Sequence, residues 1–271
     1  MDSLVLGSQS PFVELFSLFV FCRAIAGSET PALLARAESL CEQLMYSWKP
    51  LCGLSSVKDD MANTTHGLSF VNHPKNVLAE TYLELSLKAC TNQVNPLSRK
   101  GRWNQKEILA YLNKEKALRE ILSGLMLMTC GGQPCIPDLL NIRVCNHRTS
   151  ERSLYVYNGY MIYVTRSHKA KRSINREFVV ARFLPSQVGH LMYTHIVYIR
   201  PFVDMLAREQ LLRINGCSPF SFRSRSESDS PSWSTERLSN TVRRFTQEVW
   251  DKELLILIIG RSNIPDKDAR R

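Results

Sequence analysis

A chain of 271 residues with 44% hydrophobic content has enough apolar material for a folded core, which excludes a disordered polyelectrolyte. Its 35 Lys and Arg against 25 Asp and Glu leave a formal charge of +10, and an excess of that sign fits an anionic partner, either nucleic acid or an acidic membrane surface. The 8 cysteines contain no Cys-x-x-Cys pair, which argues against a zinc ribbon or a thioredoxin-type site and fits buried free thiols in a reducing compartment.

In chain order, Phe12 to Ala26 is apolar but interrupted by Glu14 and Arg23, and its unbroken part, Leu15 to Cys22, is too short to span a bilayer. It reads as a buried helix; a secretory signal, with Ala24-Ile25-Ala26 imitating a cleavage site, is the alternative. Thr30 with Pro31 opens a helix whose apolar face includes Leu33, Ala37, Cys41, Leu44 and Trp48, ending near Lys49-Pro50. Leu51 to Pro74 lacks a period and reads as loop, with His66 and His73 as ordinary loop residues. Asn76 is expected to open a helix carrying Leu78, Tyr82, Leu85 and Ala89. Arg99, Lys100 and Arg102 read as a hydrated linker or a DNA contact. Asn104 and Glu107 resemble a capping box before a long helix through Leu125, broken at Gly131-Gly132-Gln133-Pro134. That double glycine lacks the Gly-Lys-Ser/Thr ending of a nucleotide-binding loop.

Asp138 to Arg143 predicts a short helix or strand. Ser153 to Tyr157 and Tyr160 to Ser167 are β-branched and aromatic runs around Asn158-Gly159, the signature of a tight hairpin. Glu177 to Leu184 predicts a third strand. Between them runs HKAKRSINR, and from Arg143 to Arg182 nine basic residues, Arg143, Arg148 and Arg152 included, face only Glu151 and Glu177. Cations held between strands suit a phosphate backbone, which makes Arg166, His168, Lys169, Lys171, Arg172, Arg176 and Arg182 the candidate contacts for weak, salt-sensitive, largely sequence-independent DNA binding. Ser186 onward predicts a helix with Val188, Leu191, Met192, His195, Ile196 and Ile199 buried and a bend or break at Arg200-Pro201; His190 and His195 read as satisfied histidines beside the core. The helix continues over Leu206 to Leu212. A Ser-rich loop then covers Asn215 to Ser232, and a last helix runs from Trp233 to about Trp250. The whole predicts a mainly helical α+β protein with a small three-stranded antiparallel sheet.

At DLLNIR, YVYNGYMIYVTRSHKAKRS, REFVVARFLP and VGHLMYTHIVYIRPF the chain resembles the segment that precedes the motor domain in fungal telomere-linked helicases of the RecQ type and related mobile-element proteins. The likeness covers about Gly131 to Trp250. That segment is in turn similar to the catalytic domain of tyrosine recombinases, so the resemblance implies a helical region over 1–100 and a degenerate recombinase-like domain over 101–271. Lys169 would take the hairpin-lysine position. The chemistry of that family needs several cations around the phosphorus and a tyrosine nucleophile. Cys135 and Ile136 stand where the first catalytic arginine is expected, and no His-x-x-Arg or tyrosine follows Trp250. No phosphate loop for ATP occurs either. The resemblance therefore implies a non-catalytic fragment or remnant, truncated at its aliphatic and charged ending, with a nuclear location; the cysteine spacing and the short apolar runs add the expectation of no metal or cofactor and no membrane association. Two other readings stand beside it: a protein-docking module anchored by Tyr155, Tyr157, Tyr160 and Tyr163, and a recombinase whose nucleophile comes from another subunit.

Overall fold

The computed structural model describes residues 30–129, 136–167, 178–209, 222, 233–245 and 247. The expected helix at Phe12 to Ala26, the double glycine and the final aliphatic stretch lie outside them, as does the Ser-rich loop except Phe222. The elements are α1 (Thr30–Leu44), α2 (Tyr82–Thr91), β1 (Ser98–Arg99), β2 (Arg102–Trp103), α3 (Gln105–Thr129), α4 (Ile136–Leu140), β3 (Leu154–Tyr157), β4 (Tyr160–Ser167), β5 (Phe178–Phe183), α5 (Ser186–Thr194) and α6 (Arg200–Glu209), followed by helical residues 235–245. This is the mainly helical α+β class, with one three-stranded antiparallel sheet in the order β3-β4-β5.

Helix α1 buries Leu33, Ala37, Cys41 and Leu44, one stripe at helical spacing, against α3 and α5. It stops five residues before the expected Lys49-Pro50 boundary because Tyr46 and Ser47 turn left-handed, at φ 52° and 56°. Left-handed backbone is unfavourable for side chains with a Cβ. Aromatic packing on either side of the turn offsets that cost: Tyr46 stacks on Tyr111 at 6.2 Å, and Trp48 meets Tyr198 edge-on at 5.6 Å.

Helix α2 starts at Tyr82 rather than at Asn76. The Asn76 amide is committed to the preceding loop, where Nδ2 donates to the carbonyls of Lys58 (2.6 Å) and Phe70 (2.7 Å) and Oδ1 accepts from the Lys58 N–H. The basic cluster read as a linker is a two-residue hairpin, β1–β2, turned at Lys100 (φ 51°) and Gly101 (φ 72°). Leu97 N–H donates to the Ala89 carbonyl and Asn104 N–H to that of Leu97, so this hairpin ties α2 to the start of α3.

Of the bend or break expected at Arg200-Pro201, no break occurs: α5 passes into α6 through a π-helical turn, His195–Ile199. Proline lacks a ladder donor and its ring crowds the carbonyl four residues back. A widened turn immediately before Pro201 relieves both without ending the helix. Helix α3 and the α5–α6 rod form the centre of the molecule. A continuous apolar cluster runs from Leu33 to Phe245, so the core crosses residue 100, the boundary drawn between the two expected regions.

Within the hairpin, Asn158 (φ 47°) and Gly159 (φ 78°) make the turn, and a Cβ on Gly159 would stand 3.3 Å from the Ser55 Cα. Glycine is required here by both conformation and space. Main-core residues Leu154, Val156, Met161 and Tyr163 occupy one sheet face. Tyr155, Ile162 and Val164 form a separate small cluster on the other.

Candidate nucleic-acid interface

Of the expected DNA contacts, Arg166 and Arg182 fall within the described residues; His168, Lys169, Lys171, Arg172 and Arg176 lie outside them. The sheet register separates the two arginines. Arg166 pairs with Val179 and Arg182 with Tyr163, and the two-residue pleat sends them to opposite faces. Arg182 donates from Nη1 to Thr165 Oγ1 at 2.5 Å and lies 5.7 Å from the Tyr163 ring centre. Arg166 forms an ion pair with Glu151 and donates from Nη1 to the Arg152 carbonyl at 3.4 Å.

Arg166 opens onto a cleft of about 720 Å³. Its walls come from four segments: Thr64 in the loop before α2, Asp138 on α4 with Asn141 just beyond it, Arg143 and residues 147–151 and 153 between α4 and β3, and Val164 to Arg166 on β4. Arg143 and Arg148 join Arg166 there, facing the carboxylates of Asp138 and Glu151. The segment is shaped by a short bridge in which His147 N–H donates to the Ser150 carbonyl at 2.8 Å, and by Ser153 and Leu154 N–H groups donating to the Arg143 carbonyl. Counting basic residues brought Arg143 and Arg148 into view but not their convergence with Arg166. That convergence depends on the connection folding back onto β4.

Arg152, part of the same sequence count, is withdrawn from solvent. Its Nη2 donates to Asp59 Oδ1 at 2.7 Å and to the Asp60 carbonyl at 2.8 Å, and neither Arg152 nor Asp59 has exposed side-chain surface. Asp59 Oδ2 also accepts the Val156 N–H, closing the otherwise open edge of β3. The Arg152 guanidinium lies 4.6 Å from the Tyr155 ring centre, and the Arg152 backbone N–H donates to Asn146 Oδ1. Asn146 in turn donates from Nδ2 to the carbonyls of Asn63 and Thr65. The irregular segment read as loop is thereby fastened under the hairpin. Single-residue patterns gave no signal for this knot, because its members are drawn from residues 59 to 156.

A second buried ionic group sits in the helical core. Glu115 on α3 is 3.0 Å from His195 Nε2 and accepts from Arg119 Nη2 at 3.1 Å. All three side chains are buried. Burial holds the His195 imidazole below its ordinary value; Glu115 opposes that shift, while Arg119 and Arg200 add to it. His195 is thus a core histidine, as expected, but only half satisfied: Nε2 meets Glu115, while the buried Nδ1 has no hydrogen-bond partner among the described residues. His190 is exposed and is 2.8 Å from the Ser186 carbonyl.

Tyr193 and Tyr198 both donate to the Cys52 carbonyl, and burial pushes both phenols above their ordinary value. Of the four tyrosines offered as docking anchors, Tyr155 and Tyr163 are buried, while Tyr157 and Tyr160 are exposed. Cys41, Cys52, Cys90 and Cys145 are free thiols, but of these four only Cys41 is buried; Cys90 and Cys145 are half-buried and Cys52 is exposed, against the expectation of burial, and burial pushes the Cys41 thiol up to about 12, a value at which it is inert. Among the described residues no group of three His, Cys, Asp or Glu is placed to hold a metal, and no helix is long and apolar enough to cross a membrane. No protein-family model, curated protein or solved structure matches the chain.

Proposed function

We propose that this chain is a non-catalytic DNA-binding protein that grips the phosphate backbone through the arginine-lined cleft beside β4. The observation that carries the reading is the convergence of Arg143, Arg148 and Arg166 on one open cleft of a chain whose formal charge is +10. Guanidinium groups are suited to phosphate, which they bind through paired N–H donors. In sequence, β4 is followed directly by the cationic run His168 to Arg176. Two carboxylates on its walls temper the field, which fits weak binding that does not depend on base sequence.

The non-catalytic reading rests on the sequence, which has no His-x-x-Arg motif or tyrosine after Trp250 and has Cys135-Ile136 where the first catalytic arginine is expected. Tyr193 and Tyr198 are buried, with their hydroxyls engaged by the Cys52 carbonyl, away from the chemistry of a phosphotyrosine link. The likeness of residues 131–250 to the recombinase-like segment of telomere-linked helicases is part of the same proposal. It implies a nuclear protein derived from a mobile or subtelomeric element that retained DNA contact and lost strand cleavage.

The test is a duplex-binding titration across a range of salt. Each phosphate neutralised contributes about 0.9 to the slope of log affinity on log salt. Arg143→Ala/Arg148→Ala/Arg166→Ala should reduce that slope by up to about 2.7. Lys169→Ala/Lys171→Ala/Arg172→Ala should flatten it similarly. Unchanged slopes in both variants, or failure of the parent chain to bind at low salt, would remove the proposal.

A further inference from the structure

The outer face of the three-stranded sheet is an aromatic platform, and its chemistry is distinct from that of the cleft. Tyr157 pairs directly with Tyr160 across the hairpin turn, and Tyr155 pairs with Ile162, which pairs with Phe183 on the far side of β4. Alternation along each strand therefore sets the rings of Tyr157, Tyr160 and Phe183 on one face, at the turn end of the sheet. They are 50%, 51% and 55% exposed, in contrast to the rings and aliphatic groups of the inner face, which the helices cover.

On the same face, between these rings and the open end of the hairpin, Tyr155, Ile162 and Val164 form the small second cluster and are buried. Arg166 occupies the same face six positions along β4 from Tyr160, roughly 20 Å away at strand rise. Val164 and Arg166 are also walls of the arginine-lined cleft, so the cleft reaches the face that carries the rings.

We infer that the occupant of this face is a single-stranded nucleic acid, its bases stacking on Tyr157, Tyr160 and Phe183 while its phosphates follow β4 toward Arg166 and the cleft. Half-exposed aromatic rings bordered by cations at this reach are the two components of sequence-tolerant single-strand binding. A paired duplex hides its base faces and offers nothing to such rings. The net positive charge of the cleft lining, Arg143, Arg148 and Arg166 against Asp138 and Glu151, complements a polyanionic backbone. The inference rests on the cleft's proposed affinity for phosphate and adds the strand form that it selects.

The experiment is fluorescence anisotropy at fixed salt with a labelled oligothymidylate of about 20 nucleotides, its abasic counterpart, and a duplex of the same length. The parent chain should favour the oligothymidylate over the abasic strand by at least about tenfold. Tyr157→Ala/Tyr160→Ala/Phe183→Ala should weaken single-strand binding by about a hundredfold or more and leave duplex affinity within about twofold. Tyr157→Phe/Tyr160→Phe keeps the rings and should bind as the parent does. If the triple variant loses its fold by circular dichroism, the single variants Tyr157→Ala and Phe183→Ala make the same comparison at about tenfold each.

Equal binding of abasic and base-bearing strands overturns the stacking inference while leaving cleft-mediated phosphate binding intact. Equal losses on single strand and duplex in the folded variant overturn it in the same way. A dimer of the parent that the ring substitutions dissolve, with single-strand affinity unchanged, assigns the face to protein contact and overturns it as well. Failure of the parent to bind any of the three ligands removes the cleft reading and this inference together.

Discussion

Arg152 and Arg166 stand at the same open end of one hairpin, and each meets a carboxylate, yet the two regions they hold behave oppositely. Beneath the hairpin, Arg152 and Asp59 are wholly covered and share their hydrogen bonds with the Asp60 carbonyl and the Val156 N–H. At the cleft, Arg166 and Glu151 keep 27% and 44% of their side-chain surface exposed. Water stabilises either charge at the cleft when its partner is removed; beneath the hairpin it cannot reach. A basic residue in this chain is thus a structural tie or a surface cation according to what folds over it, which the number of neighbouring charges does not reveal.

The largest expected effect is loss of the covered tie. Arg152→Ala strands the Asp59 carboxylate in a site without solvent and should destabilise the fold by about 3–5 kcal/mol, the range for breaking a buried pair from one side. Urea denaturation would register it as a lower midpoint. Asp59→Ala/Arg152→Ala should cost less than the sum of the two single substitutions, because the second removes the charge the first left unpaired. Additive losses would show that the pair acts independently and would collapse the contrast with the cleft.

The helical core sharpens the comparison through pH. His195 has a folded-state value below its ordinary 6.5, because burial and the nearby Arg119 and Arg200 outweigh Glu115. The unfolded chain therefore takes up this proton first as the solution is acidified. Stability should fall as pH drops below about 6.5, with a limiting slope near 1.4 kcal/mol per pH unit from this residue. The contribution is fully retained above that value. Comparing urea denaturation of the parent and of His195→Gln between neutral pH and pH about 5 isolates it. Equal pH dependence would show that His195 does not carry the effect.

The hairpin was legible because the alternation around Asn158-Gly159 is a local signal, and its strands fall within a residue of the expected bounds. The long helix α3 was legible for the same reason, as was the burial of His195 on its apolar stripe. Asn76 looked like a helix cap because the sequence does not show that its amide is occupied by Lys58 and Phe70. The left-handed pair Tyr46-Ser47 carried no glycine to mark it; its compensation comes from Tyr111 and Tyr198, far along the chain. Likewise, a run of arginines announces positive charge, while the separation of Arg152 from Arg166 and of Arg182 from both follows from pairing partners and strand register. Local chemistry was readable, but not the choice of distant partners.

The smallest expected effect on stability comes from the cleft. Arg166→Ala removes an ion pair whose members remain in contact with water, so it should change the unfolding free energy by no more than about 1 kcal/mol, and less at high salt. Glu151→Ala should do as little, and the double-mutant coupling should fall within the same range. Binding should separate these variants where stability does not. Removing Arg166 deletes a cation from the cleft and lowers DNA affinity, whereas removing Glu151 releases Arg166 from its partner and raises it. Opposite changes in affinity at nearly equal stability would mark this pair as a regulator of surface charge. A loss of several kcal/mol in either variant would instead place Arg166 with Arg152 among the structural ties, and the distinction between the two arginines at the open end of the hairpin would no longer hold.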